Sequence, residues 1–397
     1  MKILWLADYS LANSPTPKSV PWVMSLAELV AANPSTELTV LNYSDSVPTP
    51  VHEFDLNGVH FIFLRAPTQG RRSDMLSLYQ WRIGILARYL RQHHRAYDLI
   101  HVHGSELQYQ VATSGLDIPQ LLSVQGLVSE YVKVVPNFFS KLKLMWTVAS
   151  YYELKYLPTI GHFSCRTHWD KAHITRLNPR ATIHHNWEPL RAEFFAAPSA
   201  AAPAGRPQVL FLGGQQVLKG FHETLAAFDL ARQRQPDLKL VISGHVQAAE
   251  VQQAVARAGL RHIRPQDVEC RGFLSAEALA QLCHESLCLL HPSYIDNSPN
   301  TVCEAQVAGL PVVASNVGGV SSLIEHGRTG VLSDLCPQHL ADNLLLLHDA
   351  PALRQRLARQ AQAVARERHN PAAVLQKTID IYHAVLSKEN EPRCIAY

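Results

Sequence analysis

His291-Pro292-Ser293-Tyr294-Ile295-Asp296-Asn297-Ser298-Pro299-Asn300-Thr301-Val302-Cys303-Glu304-Ala305-Gln306-Val307-Ala308-Gly309-Leu310-Pro311-Val312-Val313-Ala314-Ser315 begins where one apolar run, Leu287–Leu290, ends, and it contains a second, Pro311–Ala314. Two short apolar runs joined by a helix-length stretch have the form of buried parallel strands with their crossover helix. Ser298 reads as the cap of that helix and Pro299 as its first residue. The amides of Asn300 and Thr301 then point out of the N-terminus, where the helix dipole favours a phosphate. Glu304 falls more than one turn into the helix, placed to accept hydrogen bonds from the vicinal hydroxyls of a ribose. Asp296 stands in the loop, eight residues before it.

The same alternation extends in both directions. Strand candidates in the first half are Lys2–Ala7, Leu38–Leu41, Val59–Leu64, Asp98–Val102, Gln120–Val124 and Ala181–His184. In the second half they are Gln208–Leu212, Leu238–Ser243, Val268–Arg271, Leu287–Leu290, Pro311–Ala314 and Gly330–Leu332, with helical periodicity between them. This is the pattern of two doubly wound α/β domains. Residues 196–207, rich in Ala and Pro, have side chains too small for a core and prolines that block pairing, so they read as a linker. The expected organisation is a Rossmann-like domain over 1–195, the linker at 196–207, a second Rossmann-like domain over 208–370, and a helix and tail at 371–397 packing back on the first domain.

Length and composition agree. The 397 residues leave room for two cores, and with 47% hydrophobic and 17% charged residues the chain is neither disordered nor, lacking an apolar run of about 18 residues, an integral membrane protein. A formal net charge of +3 is too small to indicate a nucleic-acid partner. Seven cysteines without a CxxC pair point to reduced thiols, and the start Met1–Asp8 has too short an apolar run for a signal peptide, so a cytoplasmic location is expected.

The segment from Asp296 to Glu304, with the following Ala-Gly-Leu-Pro-Val-Val-Ala-Ser run, resembles the acidic-x7-acidic signature of retaining glycosyltransferases of the GT-B fold, family 4. The resemblance continues through Gly318-Gly319 and Glu325–Leu332, and reaches back to Phe211-Leu212-Gly213-Gly214 and Leu218-Lys219-Gly220-Phe221. It implies two Rossmann-like domains facing a central cleft, with a donor site made by Gly213, Gly214, Lys219, Ser298, Pro299, Asn300, Thr301 and Glu304. Lys219 would meet the donor diphosphate and Asp296 would orient the sugar. Two positions depart from the family pattern: Asp296 stands where Glu is usual, and Gly214 where Arg is frequent.

In the first half, Asp98–Gly104 resembles the family's strand ending in a histidine that faces the cleft. Period two puts His101 and His103 on one side of the strand, and His103, at its open end, is the candidate with a catalytic role beside Asp296 and Lys219. Gln125 and Gly126 stand where many members have a histidine after the next strand, and Arg166 belongs to Cys165–Asp170, which together with Asn186–Phe195 resembles segments of the family's bacterial polysaccharide-building branch; Gln125, Gly126 and Arg166 are candidate contacts for the acceptor or sugar. His101 with His103, or His184 with His185, would supply two metal ligands without a third at recognisable spacing, so no metal is assigned.

The resemblance implies transfer of a sugar from a nucleotide diphosphate sugar to a hydroxyl of a glycan or lipid-linked acceptor, with the anomeric configuration kept and no metal or other cofactor. A nucleotide-sugar epimerase, or a noncatalytic partner that only binds the sugar nucleotide, are the alternatives. Between Glu130 and Pro158 the aromatics Tyr131, Phe138, Phe139, Trp146, Tyr151, Tyr152 and Tyr156 interleave with Lys133, Lys141, Lys143 and Lys155. That mixture is expected to form a rim suited to a membrane surface.

Overall fold

The computed structural model describes residues 1–9, 21–68, 72–135, 140–196 and 206–389. The centre of the expected linker, Phe138, Phe139 and the tail with Cys394 lie outside the described residues. The chain divides into two units, Met1–Pro189 with Asn370–Tyr397, and Leu190–His369. The first division falls ahead of the expected boundary at 195, because 190–196 belongs with the second unit.

The first unit holds an 8-stranded sheet. Its strands are β1 (Lys2–Leu6), β2 (Glu37–Ser44), β3 (Val51–Leu56), β4 (Val59–Arg65), β5 (Leu99–His103), β6 (Gln120–Ser123), β7 (His162–Cys165) and β8 (Thr182–His185). They lie in the order β3-β4-β2-β1-β5-β6-β7-β8, all parallel except the antiparallel pair β3 and β4. Alternation along β1 sends Leu4 and Leu6 to one face, with Leu86, Leu90 and Tyr109. It sends Ile3 and Trp5 to the other, with Val23, Ala27, Val374, Ile381 and Tyr382. The last helix, Pro371–Glu389, thus supplies part of the first unit's core although it follows the whole second unit in sequence.

The second unit has a 6-stranded parallel sheet of β9 (Gln208–Phe211), β10 (Lys239–Ile242), β11 (Val268–Cys270), β12 (Cys288–His291), β13 (Val312–Ser315) and β14 (Val331–Ser333), ordered β11-β10-β9-β12-β13-β14. Phe211, Leu240 and Ile242 pack with Phe221, Phe228 and Leu344 from the covering helices.

β3 and β7 are the strands that the apolar runs do not mark. β3 is an edge strand, largely exposed, and needs no apolar run; β7 is four residues long and half polar. Among the described residues no helix is long and apolar enough to cross a membrane.

Candidate functional site

In the second unit the strand order reverses between β9 and β12, and open α/β sheets bind ligands outside the C-terminal ends of the strands at such a point. β9 runs out through Gly213 and Gly214 into a short turn, Val217–Lys219, and the helix Phe221–Arg234. β12 runs out through 292–299 into the helix Asn300–Ala308. The two exits are tied together, since Tyr294 N donates to Leu218 O at 2.9 Å.

Lys219 Nζ donates to Asp296 Oδ2 at 2.6 Å, and His291 Nε2 lies 3.3 Å from the same oxygen. Ser293 Oγ is 3.0 Å from His291 Nε2 and Thr301 Oγ1 is 3.5 Å from His291 Nδ1, so the group reaches the start of the helix. Burial alone would raise the Asp296 carboxyl, but Lys219 and His291 more than offset it and hold the group well below the usual carboxylate range. Asp296 is therefore ionised at neutral pH. Its backbone is gripped by the Gly318-Gly319 turn: Gly319 N donates to Asp296 O at 2.9 Å, and a Cβ on Gly318, at φ +54°, would collide with that oxygen.

The helix cap differs from the expectation. Pro299, not Ser298, takes the cap position, at φ −65° and ψ 119°, the helix starts at Asn300, and no side chain caps it. Ser298 therefore stands one residue further out, where its Oγ lies 4.0 Å from Cys303 Sγ. The expected anion-binding feature does not depend on the serine: the first amides of a helix have no intrahelical acceptor, and Asn300 and Thr301 hold those positions.

Glu304 is 3% exposed and does not present a bare carboxylate. Arg191 Nε and Nη2 donate to its two oxygens at 2.8 Å each, a bidentate pair. Burial pushes the Glu304 carboxyl up while Arg191 pulls it down, leaving it raised. A ribose at Glu304 would have to share oxygens that already accept from Arg191.

In the first unit the order reverses between β1 and β5. A hydrogen-bond chain runs from Trp5 Nε1 to Tyr382 Oη at 3.0 Å, from Tyr382 to His101 Nδ1 at 2.9 Å, and from His101 Nε2 to Ser123 Oγ at 2.7 Å. His101 is thus a fixed core group. His103 packs tilted against its ring with centroids 3.9 Å apart, and against Trp5 at 4.3 Å. It is 7% exposed, and neither ring nitrogen has a hydrogen-bond partner among the described residues.

Burial, helped by Arg166, lowers the His103 pKa to about 3, and burial also lowers that of His101. Both rings are neutral at physiological pH. The unfolded chain takes up protons near pH 6.5 that the folded chain refuses, so stability is complete above that pH and falls as pH drops toward 3. His103 alone is expected to remove about 2 kcal/mol between pH 8 and pH 5, and a His103→Asn variant should lose less over that interval in denaturant titrations. An equal loss in the variant would show that His103 protonates freely in the folded protein.

Gln125 Oε1 accepts from Trp22 Nε1 at 2.7 Å and its Nε2 donates to Glu188 Oε1 at 2.9 Å. Arg166, 4% exposed, donates to Val124 O and Gln125 O and pairs with Glu188 at 3.2 Å. Arg166 thus holds the 124–125 loop and faces inward, and Gly126 follows that loop.

Among the described residues one group of metal-binding side chains converges, the exposed Asp334, Cys336 and His339, where Asp334 is already bonded to the imidazole and to Cys336 N. It involves none of the histidines that the sequence raised. Cys165, Cys283 and Cys288 are buried, and burial pushes each thiol up, the response of packing residues rather than nucleophiles. His291, unassigned in the sequence, lies in the same strand exit as Asp296 and Ser293, whereas Arg191 and Glu188 join the candidate groups through contacts across 113 and 63 residues, which no local spacing signals.

Two Rossmann-like parallel sheets in one chain are the architecture of the GT-B fold, and solved structures agree over nearly the whole chain. Sucrose-phosphate synthase from Thermosynechococcus elongatus superposes with a TM-score of 0.78 at 19% identity, covering 98% of this chain and 99% of that one. Anabaena HepE in complex with UDP-glucose gives 0.68 at 18% identity, covering 97% and 100%. Residues 195–364 match the family model of glycosyl transferases group 1, a stretch that contains Lys219, Asp296 and Glu304. A D-inositol 3-phosphate glycosyltransferase of Arthrobacter sp. (strain FB24) is 34% identical over 194 residues, 47% of this chain and 44% of that protein. The chain spans less than half the length of the curated relatives it matches.

Proposed function

We propose that this chain is a retaining glycosyltransferase of the GT-B type, family 4, that carries a nucleotide diphosphate sugar on its second unit and a hydroxyl acceptor on its first. The observation that carries the reading is the Lys219–Asp296 pair at the strand-order reversal of the second unit, beside the open amides of Asn300 and Thr301. Lys219 exchanges its partner Asp296 for the donor diphosphate, and the helix amides share the charge that develops there as the glycosidic bond breaks. Asp296, ionised, accepts hydrogen bonds from the sugar hydroxyls. The leaving phosphate oxygen takes the acceptor proton on the face it departs from, which keeps the anomeric configuration. No metal enters this scheme.

The experiment is a screen of nucleotide sugars against mixed hydroxyl acceptors with products identified by mass spectrometry and the new linkage assigned by NMR. Transfer with retention is expected. Tight donor binding without transfer or hydrolysis would favour the noncatalytic partner, and conversion of the donor to its epimer would favour the epimerase.

The acceptor is proposed to be a glycan under assembly at the cytoplasmic face of a membrane. Support comes from the helix Lys141–Tyr156, which turns Leu144, Tyr151 and Leu154 to solvent at 63%, 58% and 49% exposure, flanked by Lys141 and Lys155. Two expected lysines contribute less, because Lys143 donates to Val132 O and Val135 O and Lys133 pairs with Glu130. Lys155 lies over the Tyr151 and Tyr156 rings and donates to Tyr151 Oη at 3.4 Å, yet stays exposed, and an exposed lysine at an anionic surface adds about 1 kcal/mol. Changing Lys141 and Lys155 to Gln is therefore expected to weaken sedimentation with anionic liposomes roughly 10- to 30-fold, and salt should release the native chain. Sedimentation unaffected by the double change would remove this face from the membrane.

A further inference from the structure

The loop that leaves β5 at the strand-order reversal of the first unit carries a carboxylate unassigned in the sequence, Glu106. It stands at the C-terminal edge of the sheet, only partly buried. Two glycines make room for it: a Cβ on Gly104, at φ +84°, would collide with Glu106 Oε2, and one on Gly126 would lie 3.0 Å from Oε1 and 3.0 Å from the Tyr131 hydroxyl. The loops after β5 and β6 thus leave their side-chain positions empty around this carboxylate, and the Gly126 amide favours its charged form. His103, two residues before Ser105 on the same edge, adds the buried imidazole whose nitrogens have no partner among the described residues.

The charges around this edge are of one prevailing sign. Glu153, from the helix Lys141–Tyr156, accepts from Ser105 Oγ, Val128 N and Ser129 N. Arg166 is engaged by Val124 O, Gln125 O and Glu188. His103 is neutral and Tyr131 contributes a hydroxyl. Burial, reinforced by Glu153 and partly offset by backbone amides and Arg166, pushes the Glu106 carboxyl up to about 7. Arg166, the cation that acts on Glu106, is already paired with Glu188, so a phosphate here meets the repulsion of Glu106 and Glu153, whereas an uncharged hydroxyl donates to Glu106 without repulsion.

We propose that Glu106 anchors an acceptor hydroxyl at this edge and selects an uncharged sugar or polyol over a phosphorylated one. The inference rests on the reading that the first unit carries the acceptor. A lipid diphosphate on the acceptor would lie away from this edge, with the reacting sugar itself uncharged.

The test measures transfer by the full chain to paired acceptors, glucose with glucose 6-phosphate and myo-inositol with its 3-phosphate, and donor affinity by calorimetry. The uncharged member of each pair is expected to be favoured at least about tenfold in kcat/KM. Glu106→Gln should raise acceptor KM roughly 10- to 100-fold and leave donor affinity unchanged, with Glu106→Asp falling between. In the native chain acceptor KM should fall as pH rises through about 7, and this limb should vanish in Glu106→Gln. Preference for the phosphorylated members, an unchanged acceptor KM in a folded Glu106→Gln, or no transfer to either uncharged acceptor while donor is bound would overturn the proposal. Absence of donor binding by the native chain would instead remove the glycosyltransferase reading, and this inference with it.

Discussion

Lys219→Ala is expected to lower turnover of a nucleotide sugar roughly 10²- to 10³-fold, the usual cost of removing one preorganised group from a centre of developing charge. The lysine is poised for this: its side chain is 35% exposed, and its ammonium donates to Asp296 Oδ2 at 2.6 Å. A diphosphate with two charged groups competes well for it. The loss should appear for the nucleotide sugar and be absent for binding of the neutral nucleoside, which the lysine does not touch. Lys219→Arg should restore part of the rate, since the charge returns with altered reach. Equal losses of affinity for nucleoside and nucleotide sugar would make the lysine a structural partner of Asp296 and nothing more.

The second large effect is on stability. Glu304→Ala is expected to destabilise the second unit by about 3 kcal/mol, because it leaves the Arg191 guanidinium largely buried against Phe194 without its carboxylate. That amounts to a fall in the midpoint of thermal unfolding of roughly 6 to 12 °C. The pair closes the helix Asn300–Ala308 onto the short turn Ala192–Phe195, so the damage should spread to donor binding as well. Replacing both partners by apolar residues of similar volume is expected to recover much of the stability. A Glu304→Ala protein that melts like the native one but binds donor weakly would show instead that the carboxylate serves the ribose and that Arg191 is dispensable.

These two residues mark where the sequence can be read and where it cannot. Lys219, Asp296 and the helix after them lie in one local pattern of strand, turn and helix start, so each is legible from its neighbours. The inner strands of the second unit are legible too, because parallel strands buried on both faces are short apolar runs; the edge strand β11, half-buried and carrying Glu269, is marked only by the β-branched Val268 and its place in the alternation. β3, exposed at an edge, and β7, with His162, Ser164 and Cys165 among its four residues, carry no such run.

Long-range contacts escaped for a different reason. Arg191 meets Glu304, and Tyr382 meets Trp5, across 113 and 377 residues, and neither partner's surroundings in sequence anticipate the other. Ser298 illustrates a smaller limit: a serine before Pro-Asn-Thr suggests a cap, yet the fixed φ of Pro299 let the proline take that position and left the serine outside it. Glu106 is not legible in the sequence because an acidic residue in a loop is ordinary; the two glycines vacating space for it set it apart.

The most direct measurement of the central claim is a crystal structure of the full chain with a nucleoside diphosphate bound. The account predicts the β-phosphate within hydrogen-bond distance of Lys219 Nζ and of the backbone amides of Asn300 and Thr301, with Asp296 released from the lysine. A diphosphate bound elsewhere, with the Lys219–Asp296 pair still closed, would contradict it.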